Sequence, residues 1–340
     1  MDTAAQDGIL KQKITAPTVL PQEIKEKLLN LLRFPGEGAQ FEKLTNYIEF
    51  VLGLPFANLN KDILDIGRTK EILDKNHYGL INVKSRILEY LSVLILRSRN
   101  GNDRLGHAPI LAFVGLVGTG KTSLAYSIAE SLGRPIIRIP FGGLGDARYL
   151  RGESRVLPEA QPGQIMKAIQ KAGVANPVIL LDEIDRVAEQ GKVDIMGVLV
   201  ELLDPAQNQT FRDHYLDFNF DLSKVLFITT ANNIANIATA VMDRLEPIQM
   251  PAYTDEEKLV IGKDYLLPRA IKESGLKSEQ IEIGNEVWSS ILRPLGFDAG
   301  IRALNRALEG LTRKVARKVV EGENGPFKIT VENIGEYITV

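Results

Sequence analysis

Residues 110–132 read ILAFVGLVGTGKTSLAYSIAESL: an apolar run, a glycine-rich turn and a helical stretch in immediate succession. The turn fits the pattern G-x-x-x-x-G-K-[ST] through Gly115, Gly120, Lys121 and Thr122. Such a loop works only where a buried strand delivers the backbone to a helix N-terminus, so it constrains the fold before any other residue is considered. Its glycines let backbone N–H groups turn toward phosphate oxygens, and the helix start adds a partial positive charge. Gly118, Thr119 and Ser123 complete the candidate cradle. Lys121 is placed for the β- and γ-phosphates of a nucleoside triphosphate, and the Thr122 hydroxyl for Mg²⁺.

About sixty residues later the chain reads VILLDEID. Val178–Leu181 suits a buried parallel strand, with Asp182 and Glu183 at its carboxyl end, where open α/β sheets bind ligands. Asp182 is expected to orient Mg²⁺ through water, and Glu183 to polarise the attacking water. ATP and Mg²⁺ are the cofactors this pair of motifs implies.

Apolar runs at Ile110–Val114, Ile136–Ile139, Val178–Leu181, Val225–Thr230 and Pro247–Met250 alternate with helical patterns. That alternation predicts a parallel sheet with right-handed crossovers, flanked by helices. Residues 1–75 lack strand patterns and form an N-terminal helical module, with helices over Pro21–Phe34 and Phe41–Leu54. Residues 76–252 form the α/β nucleotide-binding domain. Residues 253–340 form a small, mainly helical lid, with one strand over Phe327–Thr330.

Composition narrows the remaining choices. A net charge of −2 gives no basic surface for nucleic acid or anionic membrane. With no cysteine, disulfides, thiolate zinc sites and cysteine nucleophiles are excluded. His77, His107 and His214 lie far apart, without metal-ligand spacing. No apolar run approaches the ~18–20 residues of a membrane span, and the N-terminus shows no secretory pattern. The expected compartment is the cytoplasm, or an organelle matrix.

Several longer strings carry a resemblance. NHYGLINVKSRILEYLSVLIL (76–96), GRPIIRIPFGGLGDARYLRGESR (133–155), LLDPAQNQTFRDHYLDFNFDLSKVLFITTANN (202–233) and MDRLEPIQMPAYTDEEKLVI (242–261) resemble the ATPase region of the Lon family of AAA+ ATP-dependent proteases. The resemblance covers roughly residues 17–340. It implies an AAA+ P-loop NTPase fold and the motor of a hexamer, whose work on protein substrates feeds a peptidase domain or partner chain. Asn232 matches the sensor asparagine beside the γ-phosphate, and Arg244 the arginine finger offered to a neighbouring subunit. Arg302 matches the second sensor arginine in the lid, with Arg306 one turn later as its competitor. His77, Tyr78, Ile261 and Ile301 match the adenine pocket, bordered by Tyr253.

Three departures qualify that match. Leu116 and Val117 follow the first glycine, where the family usually carries prolines. The substrate-gripping loop between Arg151-Gly152 and Pro162-Gly163 places Leu157 and Pro158 at the family's aromatic–aliphatic tip. A leucine offers less contact area than an aromatic ring, and proline stiffens the loop. The family's Ser/Lys peptidase domain is expected after Val340, so no intrinsic proteolysis is expected of this chain. A nucleotide-dependent chaperone or assembly scaffold without threading is the alternative function. A DNA-directed ATPase is a third, opposed by the charge.

Overall fold

A computed structural model describes residues 3–16, 20–34, 36, 38–100, 109–292 and 298–338. His107 lies outside the described residues. Helices α1 (Thr3–Thr15), α2 (Gln22–Leu31), α3 (Ala39–Leu52), α4 (Ile66–Asn76) and α5 (Ile81–Arg99) precede the first strand. Then come β1 (Ile110–Val114), α6 (Lys121–Leu132), β2 (Ile136–Pro140), α7 (Arg148–Arg151), α8 (Gln164–Ala172), β3 (Val178–Asp182) and α9 (Lys192–Leu203). The hairpin β4 (Phe211–Asp213) and β5 (Phe218–Phe220) leads into β6 (Leu226–Ala231), α10 (Thr239–Met242) and β7 (Leu245–Gln249). The C-terminal part contains α11 (Asp255–Val260), α12 (Leu267–Glu273), β8 (Ile281–Ile283), α13 (Val287–Leu292), α14 (Arg302–Val320), β9 (Phe327–Ile329) and α15 (Ile334–Tyr337).

The five expected strands form one parallel sheet in the order β2-β3-β6-β1-β7. Successive strand residues point to opposite faces, and the packing separates accordingly. Ala112, Ile179, Leu181 and Phe227 face a core shared with α1–α3, α8 and α9. Leu111, Phe113, Val178, Leu180, Leu226 and Ile228 face a second core shared with α5, α6 and the lid. Burial on both faces explains why these strands read as continuous apolar runs rather than as alternating patterns.

The N-terminal helices are therefore not packed as a free-standing unit. Leu10, Ile14, Leu28, Tyr47 and Ile48 belong to the same core as β2, β3 and β6. Helix α4 packs on α6 and places Leu73 in the opposite core. In the lid, β8 and β9 pair in parallel, so the expected strand at Phe327–Thr330 has a partner that carried no clear pattern. Between α11 and α12 the helix continues as a π-helical segment over Ile261–Leu266. Gly262 lies there because a Cβ would approach Trp288 Cζ3 to 2.7 Å.

Candidate nucleotide site

The loop between β1 and α6 is shaped by three glycines. Gly118 and Gly120 have φ of +82° and +93°, a region that costs glycine no Cβ clash. A Cβ on Gly115 would meet the Met250 Cβ at 2.7 Å and its carbonyl oxygen at 2.8 Å. The loop thus passes directly over the end of β7, and its backbone opens toward a cavity of about 440 Å³. Val117, Gly118, Gly120, Lys121, Thr122 and Ser123 form one wall of that cavity. Asp182, Glu183 and Asn232 come from the carboxyl ends of β3 and β6, and Ile301, Arg302 and Asn305 from the lid.

Lys121 is buried and satisfies itself locally. Its Nζ donates to the Gly115 carbonyl at 2.7 Å, the Leu116 carbonyl at 2.9 Å and Asn232 Oδ1 at 2.9 Å. Burial pushes its pKa below the ordinary value, partly offset by Asp182, Asp185 and Glu183. Asn232 Nδ2 is buried with no hydrogen-bond partner among the described residues. An orphaned buried donor beside a lysine held by loop carbonyls fits a cradle for an anionic ligand.

The acidic end is organised by a residue that sequence analysis missed. Thr230, fully buried, donates its hydroxyl to Asp182 Oδ1 and accepts the Glu183 N–H at 2.9 Å. Thr122 donates to the same Asp182 oxygen at 3.4 Å. Glu183 sits at φ 59° and ψ 48°, left-handed backbone that is uncommon outside glycine, asparagine and aspartate. Such conformations persist where surrounding bonds hold them, here the Thr230 hydroxyl, and they cluster at functional sites. Asp185, the second aspartate of DEID, accepts the Asn233 N–H at 3.1 Å and so ties the β3 loop to the β6 loop. Arg138 of β2 also reaches Asp182, with Nε and Nη2 each 2.6 Å from Oδ2.

These residues fit Mg²⁺ in one way only. Among the described residues, no group of three His, Cys, Asp or Glu side chains could hold a metal unaided. The Thr122 hydroxyl and the Asp182 carboxylate supply two oxygens, which suits an ion that keeps waters and takes its other ligands from phosphates. Held by Thr122 and Asp182, the ion would offset the charge that develops on phosphoryl transfer.

The lid touches the loop directly. Ile301 donates its N–H to the Gly118 carbonyl at 3.1 Å. A Cβ on Gly300 would lie 2.5 Å from the Gly118 carbonyl carbon and from the Val117 oxygen. Asp298 caps α14 by accepting the N–H groups of Gly300 and Ala303, both at 3.0 Å, which sets Arg302 at the cavity wall. The Arg302 side chain makes no hydrogen bond or ion pair with described residues, and Arg306 is not part of the lining. Arg269 from α12 also lines the cavity, a cation that the sequence did not single out.

The expected base-binding residues divide into two sets. Ile301 lines the cavity. His77, Tyr253 and Ile261 are buried behind the loop, and Tyr78 is partly exposed. His77 Nε2 lies 3.0 Å from Ser127 Oγ on α6, and burial together with Lys84 lowers its pKa to about 4. The Tyr253 hydroxyl donates to the Thr119 carbonyl at 3.3 Å, bracing the loop from below, and burial raises its pKa to about 12.

Two further elements expected from sequence lie away from this cavity. Arg244, just before β7, donates to Asp204 Oδ2 at 2.8 Å and to the Ala240 carbonyl at 2.6 Å. The loop 152–163 is cinched at its base, where Glu153 donates its N–H to the Gln161 carbonyl at 3.1 Å. Asp213, fully buried, accepts the N–H groups of Gly163, Tyr215 and Leu216 there, and burial raises its pKa to about 6. From that base Val156 and Leu157 project, 89% and 43% exposed, while Arg155 stacks over the Tyr47 ring of α3 at 3.9 Å.

The geometry agrees with comparisons to known proteins. The family model described as "ATPase family associated with various cellular activities (AAA)" matches residues 111–251. The model described as "Lon protease AAA+ ATPase lid domain" matches residues 272–327. This chain is a Lon-type AAA+ ATPase module. It is 43% identical over 96% of its length to a Lon protease of Lawsonia intracellularis. It is 41% identical, also over 96%, to Lon protease 2 of Thermus thermophilus, and 42% identical over 94% to Lon protease 1 of Bacillus subtilis. The chain spans 39% to 41% of the length of these relatives. As an AAA+ ATPase of this family, it depends on ATP and Mg²⁺. No helix among the described residues is long and apolar enough to cross a membrane.

Proposed function

We propose that this Lon-type ATPase couples hydrolysis to the unfolding and threading of protein substrates for proteolysis. In this reading it works as a cytoplasmic homo-oligomer, a hexamer, with peptidase activity supplied by a further domain or by a partner chain. The observation that carries the threading is the loop 152–163. Its base is fixed by the Asp213 carboxylate, and its apolar tip stands in solvent at Val156 and Leu157. A tip that gripped a chain needs both properties: a rigid root to transmit force and exposed apolar area to hold an extended segment.

Within the nucleotide site, Lys121 and the backbone of Gly115–Ser123 would hold the phosphates, Thr122 and Asp182 the metal, and Glu183 the attacking water. Asn232 would leave Lys121 to sense the γ-phosphate, and Arg302 would reach the phosphates from the lid. Ile301 would border the base, with His77, Tyr78, Tyr253 and Ile261 shaping the wall behind it. Arg244 would complete the site of the next subunit.

A second reading is a nucleotide-dependent chaperone or scaffold without threading. It is favoured by the Leu157-Pro158 tip and by the Arg155 stack on Tyr47, which ties one side of the loop to α3. Casein titrated into the ATPase assay separates the two. Threading predicts stimulated turnover that Leu157→Ala reduces, whereas a scaffold predicts turnover indifferent to casein and to that substitution.

A further inference from the structure

Asp182 is already paired with a cation. Its side chain is 5% exposed at the carboxyl end of β3, and both of its oxygens are engaged. Oδ1 accepts the Thr230 hydroxyl and faces Thr122, while Oδ2 takes both Nε and Nη2 of Arg138 at 2.6 Å. Arg138 stands on the neighbouring strand β2, paired in register opposite Leu180, and its side chain is 49% exposed. The guanidinium therefore reaches inward from the solvent-facing side to a carboxylate sunk at the strand end. Charge-assisted pairing of two N–H groups with a carboxylate is among the stronger hydrogen-bonding arrangements in proteins.

The sign of the cavity points the same way. Its lining carries four cations, Lys121, Arg138, Arg269 and Arg302, against two carboxylates, Asp182 and Glu183. A triphosphate or diphosphate entering it meets a positive excess that includes a cation beside the metal carboxylate. Removal of Arg138 would leave Asp182 as an unpaired negative charge next to the phosphates unless a metal were present.

We infer that Arg138 is a tethered counter-ion for the metal position. It pairs with Asp182, makes nucleotide binding tolerant of metal-free nucleotide, and competes with Mg²⁺ for the carboxylate. Arg138 is a positioning residue, acting on phosphate and metal through Asp182. The inference rests on the reading of Asp182 as the metal carboxylate. A structural role for Arg138 as a clip between β2 and β3 would instead weaken every nucleotide complex alike, because a disturbed strand end does not distinguish metal-loaded from metal-free ligand.

The test measures binding rather than turnover. Fluorescent ADP and a non-hydrolysable ATP analogue are titrated into the wild-type chain, Arg138→Gln, Arg138→Lys and Asp182→Asn, each in excess EDTA and in excess Mg²⁺. For Arg138→Gln the ratio of metal-free to metal-loaded Kd is expected to rise about tenfold, as a single charge acting over several ångströms near a protein surface would produce. The free Mg²⁺ at half-saturation should fall, and Arg138→Lys should lie between Gln and wild type. Circular dichroism on each variant checks that the fold is intact. Equal shifts of Kd with and without metal in Arg138→Gln would overturn the inference, as would a selective loss of the metal-loaded complex. Asp182→Asn is expected to remove most of the Mg²⁺ enhancement. If it keeps the enhancement, the assignment of the metal carboxylate fails. If it loses the enhancement while the Arg138→Gln ratio stays at the wild-type value, the counter-ion alone fails.

Discussion

Arg244 donates to Asp204 Oδ2 at 2.8 Å, so a side chain expected to serve a neighbouring subunit is held by an acid of its own. Its second terminal nitrogen is taken by the Ala240 carbonyl, and its Nε is buried with no partner among the described residues. The Arg244 bond also holds the Asp204 carboxyl below its ordinary pKa. Ion pairs of this kind, partly exposed, contribute about 0–1 kcal/mol, which leaves the arginine free to exchange partners on assembly. Specific ATPase activity should therefore rise with protein concentration from nanomolar to tens of micromolar. Arg244→Ala should lower kcat by about 10³-fold or more, in the range of known fingers. Mixing Arg244→Ala with Lys121→Ala should restore part of the activity, one subunit lending its pocket and the other its finger. Flat specific activity together with an active Arg244→Ala protein would end the claim of action in trans.

Lys121→Ala and Glu183→Gln should separate binding from chemistry. Removing Lys121 takes away the charge proposed to face the β- and γ-phosphates, and calorimetry should find nucleotide affinity reduced by at least about tenfold. Glu183→Gln keeps the loop intact and retains a hydrogen-bonding amide, so Kd should stay within about threefold while phosphate release slows by about 10²-fold or more. Rapid turnover by Glu183→Gln would remove the glutamate from the catalytic role.

Gly300→Ala should uncouple the lid. Its new methyl would fall 2.5 Å from backbone atoms of Val117 and Gly118, and neither rigid loop nor capped helix start can yield cheaply. Nucleotide affinity should drop about tenfold or more while far-ultraviolet circular dichroism stays at the wild-type level, because the contact lies outside both hydrophobic cores. Undiminished affinity would show that the lid is not held at that contact when nucleotide binds.

Acid should destabilise the fold through His77. Its pKa falls from the ordinary value of 6.5 to about 4, by burial first and by Lys84 second. A neutral folded histidine against a protonated unfolded one makes stability fall as pH drops from about 6.5 to 4, by up to about 3 kcal/mol. Asp213 opposes this. Its raised pKa of about 6 means the folded form binds a proton before the unfolded form does, so its contribution is full below pH 3.8 and lost as pH rises through 6. Replacement His77→Gln should therefore flatten or reverse the decline in melting temperature between pH 6.5 and 4. An unchanged slope would refute the histidine's part.

The sheet and the phosphate loop were legible in the sequence because burial on both faces of a parallel strand imposes an uninterrupted apolar run, and because glycine spacing records backbone geometry. Val178–Asp182 and Lys121–Leu132 fell where those rules put them. The hairpin β4–β5 was not legible, since three-residue strands such as Phe211–Asp213 leave too little pattern. Thr230 and Arg138 were missed for another reason. A threonine in a strand reads as β-propensity, and an arginine in IIRIP reads as the solvent side of an edge strand. Their meaning lies in a neighbour on an adjacent strand, Asp182, far away in sequence. Similarly, the N-terminal helices looked separable in sequence, yet Tyr47 and Ile48 are buried in the core of the sheet.

The division of packing between the two faces of the sheet has a mechanical consequence. One face carries the lid and α6, and the other carries the N-terminal helices and the root of the loop 152–163. A close-packed sheet is a stiff plate, so a tilt of the lid is not passed through its middle as a local rearrangement. The bonded route between the two halves is the rim where β3 and β6 end. Thr230 bonds to Asp182 and Glu183 there, Asp185 accepts the Asn233 N–H, and the phosphate loop meets Asn232 through Lys121. That rim is a gearing line: the proposed nucleotide cradle lies on the same edge that joins the half bearing the lid to the half that carries the exposed tip.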